Sequence, residues 1–314
     1  MSPRRKVVRR LARTFLPIIL VLFVACAAVA VLIGRSIMRP PRAPYLVRPD
    51  TFVVGPILKA SDVTWPNHDG TKARGWQILG AEGSPAVILL HRYGADRSWL
   101  LNLSVKLNET TNYTVLWPDL RGHGENPLVE SSSFGTVEGD DVTAAIDYLH
   151  TLKSSSGKPQ IGFIGIYGVE LGAYAALDGA KRYPEVRALA LDSLPESPDD
   201  LIRAATSSHA MNNRALQILG RWGVKIYTLG KYQSTPSCEL ARSIRNVRVL
   251  LLSGDASDPW RNSTLALEKC FSNGGIVEVR KDLPLTGFNL VSAASEQEEA
   301  YDRPVIEFFD KALR

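Results

Sequence analysis

The side chains able to do nucleophilic or acid–base work gather in short clusters. His91-Arg92-Tyr93-Gly94 and Asp119-Leu120-Arg121-Gly122-His123-Gly124 each close an apolar run. Gly168-Val169-Glu170-Leu171-Gly172 sets one carboxylate between glycines, and Gly254-Asp255-Ala256-Ser257-Asp258-Pro259 supplies two more acids. Carboxylates can serve as nucleophile, general acid or general base, but proton shuttling near neutral pH is ordinarily the work of histidine. The histidines are His68, His91, His123, His150 and His209, and none follows Asp258. No Cys/His spacing matches a metal site. Glu138, Asp140 and Asp141 stand at a predicted helix start, where the helix dipole already favours acids without a metal. The sequence therefore implies no metal and no cofactor.

Alternating apolar runs and helical patterns must position these clusters, and that alternation predicts a largely parallel sheet covered by helices on both faces. Strands are predicted over residues 62–65 and 73–79, around the turn signal Asn67-His68-Asp69-Gly70, then over 86–90, 113–117, 161–167, 186–191, 247–252 and 276–280. Helices are predicted over 98–107, 137–152, 171–182, 262–271 and 296–313, with a helix-rich insertion over 195–243 that could cap a site. Aromatic residues of that insertion, Trp222, Tyr227 and Tyr232, read as packing, as does His209 beside them.

From residue 62 to the C-terminus the chain resembles the α/β-hydrolase superfamily, its esterase- and peptidase-like members in particular. His91-Arg92-Tyr93-Gly94 is similar to that family's oxyanion loop, and 118–124 to its Asp-x-Arg-Gly-x-Gly loop. Residues 168–172 stand where it has the Gly-x-Ser-x-Gly elbow, a motif found nowhere in this chain. The resemblance implies an α/β-hydrolase fold with Glu170 at the nucleophile position and Asp258 as the triad acid, Asp255 being the fallback. It further implies oxyanion donors from the 91–94 loop and from the backbone N–H of Leu171. Asp119, Arg121 and His123 become loop-stabilising residues, with Asp119 and Arg121 expected to pair, and Asp192-Ser193 is structural. Around Leu285-Thr286-Gly287-Phe288-Asn289, where the family presents its histidine, the chain offers none. Arg92 replaces a small glycine, and an Arg92–Glu170 ion pair is expected, because an unpaired carboxylate there is costly to desolvate.

Ten of the 37 Lys and Arg residues lie within residues 1–48, which hold no Asp or Glu. The remaining 27 face 32 acids, so the body is acidic, which argues against a nucleic-acid partner. The uncharged run 14–34 would span about 31 Å as a helix and fits a bilayer core of roughly 30 Å. Six positive charges precede it, which predicts a single-pass anchor with a cytoplasmic N-terminus (1–13), a spacer over 35–50 containing Arg39-Pro40-Pro41-Arg42-Ala43-Pro44, and an extracytoplasmic body (51–314). Ala28-Val29-Ala30 resembles a signal-peptidase site, but the apolar run continues through Val31, Leu32 and Ile33, which favours retention. Cys26 reads as a plain membrane-helix cysteine. Cys238 and Cys270 could pair in an oxidising compartment or remain buried thiols. The expectation is a membrane-anchored α/β-hydrolase-fold protein, catalytically degenerate, that binds a small-molecule or protein ligand at the former cleft. The alternative is an active hydrolase of ester, acyl or peptide-like substrates using Glu170 or a relocated base such as His91 or His123.

Overall fold

The computed structural model describes residues 3–50, 60–125, 127–208, 213–254, 258–271, 275–289 and 295–314. Asp255 and His209 lie outside them. In chain order, helix α1 (Pro3–Ile37) precedes β1 (Ser61–Pro66), β2 (Lys72–Ile78), β3 (Ser84–Leu90), α2 (Leu101–Thr111), β4 (Thr114–Pro118) and α3 (Glu138–Thr151). Then come β5 (Ile161–Val169), α4 (Leu171–Arg182), β6 (Val186–Asp192), α5 (Pro198–Ser208), α6 (Arg214–Tyr227) and α7 (Ser237–Ser243). The last elements are β7 (Arg248–Leu252), α8 (Arg261–Ala266), β8 (Ile276–Arg280) and α9 (Ser295–Leu313). These elements form two compact units, one of Met1–Met38 with Ile202–Tyr232, the other of Arg39–Leu201 with Gln233–Arg314.

The larger unit is built on an eight-stranded sheet in the order β1-β2-β4-β3-β5-β6-β7-β8. β1 and β2 run antiparallel to their neighbours, while β4, β3 and β5 to β8 are mutually parallel. The central strands read as unbroken apolar runs because both of their faces are covered, and Ala86 to Leu90 of β3 are wholly buried. Alternation sends Val87 and Leu89 into one core with Leu103 of α2 and with Phe308, Phe309 and Leu313 of α9, and sends Ile88 to the opposite face. α4 packs beside α3 and α7. The helix expected over 262–271 divides into α8 and a 3-10 turn, Leu267–Cys270.

Part of the predicted spacer is docked on this unit. The Tyr45 ring buries itself edge-on to Trp76, with centroids 5.2 Å apart, and its hydroxyl donates to Asp119 Oδ2 at 2.6 Å. The Tyr45 and Leu46 amides donate to Glu125 Oε1 and Ser98 Oγ at 2.9 and 3.0 Å. Burial of one aromatic ring with satisfied polar ends offsets part of the chain entropy lost on docking this segment.

In the smaller unit, α1 contains the segment Arg13–Ile37, the one helix among the described residues long and apolar enough to cross a membrane. Its apolar side chains point outward: Leu16, Leu20 and Phe23 are 60% or more exposed. α6 crosses α1 backbone to backbone, and a Cβ on Gly223 would lie 1.8 Å from the Ala30 carbonyl oxygen, so glycine is required at that contact. Gln217 Nε2 ties α6 to Ser207 Oγ at 3.2 Å, and Asn213 caps the helix by accepting the Ala215 amide at 2.8 Å.

Cys238 and Cys270 form a disulfide that closes a loop of 32 residues in sequence separation, and Cys26 is a free thiol. Closing a loop of this size in the unfolded chain is worth about 4 kcal/mol. Cys238→Ser is therefore expected to lower the free energy of urea unfolding by about that amount, and reductant should destabilise the wild type but not the variant.

Candidate functional site

The pairing of β3 with β5 brings Leu90 beside Gly168, so the loops after the two strands meet at one edge of the sheet. Glu170 forms the sharp turn between β5 and α4, with φ 51° and ψ −106°, a strained conformation for a side-chain-bearing residue that costs about 1–3 kcal/mol. Two hydrogen bonds hold the turn: the Glu170 amide donates to the Asp192 carbonyl, and the Tyr174 amide to the Glu170 carbonyl, each at 3.0 Å. The first turn of α4 presses against the end of β3 so closely that a Cβ on Gly172 would lie 2.4 Å from the Leu90 carbonyl oxygen. This is the geometry that presents a nucleophile, but here it presents a buried carboxylate.

Backbone and ring N–H groups satisfy that carboxylate. Tyr93 N donates to Glu170 Oε2 at 2.9 Å, and Trp260 Nε1 to Oε1 at 3.3 Å. Burial pushes the Glu170 carboxyl up to about 7, opposed by the Arg92 charge and by these two donors and reinforced by the negative charge of Asp258. The expected direct ion pair with Arg92 is absent. The guanidinium instead donates from Nη1 to the Tyr93 carbonyl at 3.0 Å and lies between the Trp99 and Phe288 rings, 4.6 and 4.4 Å from their centroids. Two aromatic faces replace water around a planar cation, and Arg92 acts on Glu170 only through space. The cavity beside it, lined by His91, Arg92, Trp99 and Val169 among others, measures about 10 Å³, room for one water at most.

Neither nearby histidine faces Glu170 through a hydrogen bond. His91 accepts the Leu120 amide at Nε2, 3.0 Å, which places its proton on Nδ1, where it donates to the Arg92 carbonyl at 2.8 Å. His123 donates from Nδ1 to the Arg121 carbonyl at 2.9 Å and stacks edge-on against His91 and Tyr93. Burial pulls both imidazoles down, to about 4 and about 3, so they are neutral struts of the loops.

The expected Asp119–Arg121 pair is exchanged for other partners. Arg121 binds Asp141, Nε to Oδ2 at 2.6 Å, and reaches Asp69 at 3.3 Å. Asp119 accepts the Arg97 amide at 3.0 Å and pairs with the Arg97 guanidinium at 3.3 Å. That guanidinium is buried over Trp76 at 4.2 Å. Arg121 sits where α3 starts, and the buried cation that Asp119 needs comes from the turn after β3, which loop spacing alone does not reveal.

Asp258 comes to the same edge and is buried, accepting Ser193 Oγ at 3.1 Å and the Trp260 amide at 2.9 Å. Ser193 Oγ also lies 2.8 Å from Asp192 Oδ1, so one hydroxyl bridges two carboxylates. Asp192 accepts the Gly287 amide at 2.6 Å and the Tyr301 hydroxyl, which contacts Tyr167 Oη at 2.8 Å. Burial pushes Asp192 up to about 7. The stretch where the family presents its histidine, and this chain offers none, is thus occupied by other contacts. A Cβ at Gly287 would lie 2.6 Å from Val169 Cγ2, and Phe288 is committed to Arg92. Sequence reasoning gave Asp192-Ser193 a structural role and missed Trp260 and Tyr301, whose involvement depends on loop packing and left no spacing signal.

The sequence matches no protein-family model and no curated protein. Solved structures do match. An esterase from Pyrococcus furiosus has a TM-score of 0.68 at 19% identity, covering 88% of this chain and 98% of that one. An α/β hydrolase from Penicillium sp. sh18 gives 0.60 at 17%, covering 82% and 99%. A thermophilic esterase from Thermogutta terrifontis gives 0.54 at 18%, covering 81% and 100%. The chain has the α/β-hydrolase fold. Within it the elbow carries Glu170, and no histidine follows Asp258.

Because the folded state holds Glu170 protonated up to about pH 7 and the unfolded chain releases that proton near pH 4.5, its contribution to stability is complete below pH 4.5 and is lost as pH rises through 7. Glu170→Gln keeps the neutral shape without the titration. Relative to this variant, the wild type should lose about 3 kcal/mol of stability between pH 4.5 and 7, measured by urea unfolding. A difference that is flat with pH would mean Glu170 titrates normally.

Proposed function

We propose that this chain is a membrane-anchored α/β-hydrolase-fold protein whose former hydrolytic centre is catalytically silent, and that the elbow region serves to bind a small-molecule or protein ligand. The observation that carries this reading is the Tyr93 amide. In this fold the loop after β3 offers an N–H to the oxyanion of acyl transfer, and here that donor is spent on the Glu170 carboxylate itself. A carboxyl oxygen already bonded to that donor in the ground state removes the differential stabilisation on which catalysis depends. Both ring nitrogens of His91 are tied to loop backbone, as is Nδ1 of His123, which supports the absence of a relocated base.

Anchoring through α1 is supported by its exposed apolar surface, and the charge excess before it supports a cytoplasmic N-terminus. The Cys238–Cys270 disulfide supports an oxidising, extracytoplasmic location for the folded body.

One observation favours a second reading, an active hydrolase of ester, acyl or peptide-like substrates. A buried carboxyl held near 7 is suited to general acid–base work or to a covalent carboxylate mechanism. Full-length protein in nanodiscs, assayed against a panel of short acyl esters beside Glu170→Gln and Glu170→Ser, separates the two. All three are expected to show no turnover above empty nanodiscs, since Glu170→Ser restores a hydroxyl but no imidazole. Wild-type turnover that vanishes in Glu170→Gln would establish the hydrolase.

A further inference from the structure

Helix α6 carries a stripe of large apolar side chains that its own unit leaves uncovered. Ile218, Trp222 and Ile226, spaced four residues apart, are 51%, 58% and 44% exposed, and Leu229 just past the helix is 89% exposed. At 100° per residue the three stripe residues fall within one 80° arc. Gly220, Gly223 and Val224, the buried residues of the helix, lie on a different arc, and it is this arc that meets α1. On the stripe's other flank come Arg214, Arg221 and Lys225, and α6 contains no acid. Lys225 Nζ lies 5.7 Å from the Trp222 ring centroid, an ammonium beside an indole at the boundary between the two arcs.

The depth at which α6 meets α1 identifies what covers the stripe. The close approach involves Ala30, Ile33, Gly34 and Ile37, the last two turns of the apolar span. Gly34 lies about 30 Å along the helix from Thr14, which is the thickness of the hydrocarbon core. If α1 crosses the bilayer, α6 is fixed at the level of the far headgroups. An apolar stripe flanked by cations, with tryptophan among its exposed residues, matches the physical profile of a helix lying in the membrane interface.

We infer that α6 is an interfacial helix, packed on α1, that inserts Ile218, Trp222, Ile226 and Leu229 into the acyl–headgroup boundary of the leaflet opposite the N-terminus and sets its basic flank among anionic lipid headgroups. The inference rests on the proposed anchoring through α1. The full chain, with Cys26→Ala, is labelled with an environment-sensitive fluorophore at Ile218→Cys, at Leu229→Cys or, within α1, at Val24→Cys. Each protein is reconstituted in phosphatidylcholine–phosphatidylglycerol vesicles carrying nitroxide lipids, either near the headgroup or deep in the chain. The Val24 label should be quenched best by the deep nitroxide, and the Ile218 and Leu229 labels by the shallow one, each losing roughly half its emission. A quenched Val24 label with unquenched Ile218 and Leu229 labels would leave the anchor standing and overturn the interfacial helix, as would a second copy of the chain covering the stripe. An unquenched Val24 label would sink the anchor, and shallow quenching at the α6 positions would then still support insertion while its absence would end both ideas.

Discussion

A carboxylate buried on a strained turn has to be met by donors, and most of the candidate site follows from that demand. Glu170 is buried where the glycines around it let α4 press against the end of β3. The loop after β3 supplies the Tyr93 N–H to one carboxyl oxygen, and Trp260 supplies its ring N–H to the other. With its local carbonyls taken by His91 and by its own guanidinium, that loop is braced from within. Satisfying one buried carboxyl group therefore fixes the position of three segments that are distant in sequence.

Arg92 shows why the simplest electrostatic expectation did not hold. A direct bond to Glu170 would bury a full ion pair, whose desolvation consumes much of the Coulombic gain. Between Trp99 and Phe288 the guanidinium keeps favourable π contacts and one carbonyl while still lending positive potential to the carboxyl. The neighbouring acids solve a related problem by proton sharing. Ser193 bridges Asp192 and Asp258, and Tyr301 and Gly287 supply further donors, so that acids crowded at one sheet edge need not all be ionised.

The parts of the architecture legible from sequence were those governed by local periodicity. Doubly buried strands such as β3 and β6 announce themselves as unbroken apolar runs, and the Gly-flanked Glu170 marks a strand-to-helix turn. Partner choice was not legible, because it depends on which side chains the fold brings together. Arg121 reaches across to Asp141 instead of its sequence neighbour Asp119, and Asp119 takes Arg97 and Tyr45. Tyr45 illustrates the limit best: a proline-rich stretch reads as spacer by composition, yet one aromatic ring finding Trp76 docks its end onto the domain.

Gly287 carries a consequence for any attempt to place a base in this loop. A Cβ there would lie 2.6 Å from Val169 Cγ2 and 2.8 Å from the Tyr167 hydroxyl, and its amide is bonded to Asp192, so position 287 itself has no room for an imidazole. Making that room would need the strand end, the tyrosine pair and this loop to relax together, each change disruptive by itself. The surrounding core thus acts as a lock that enforces glycine at this one position.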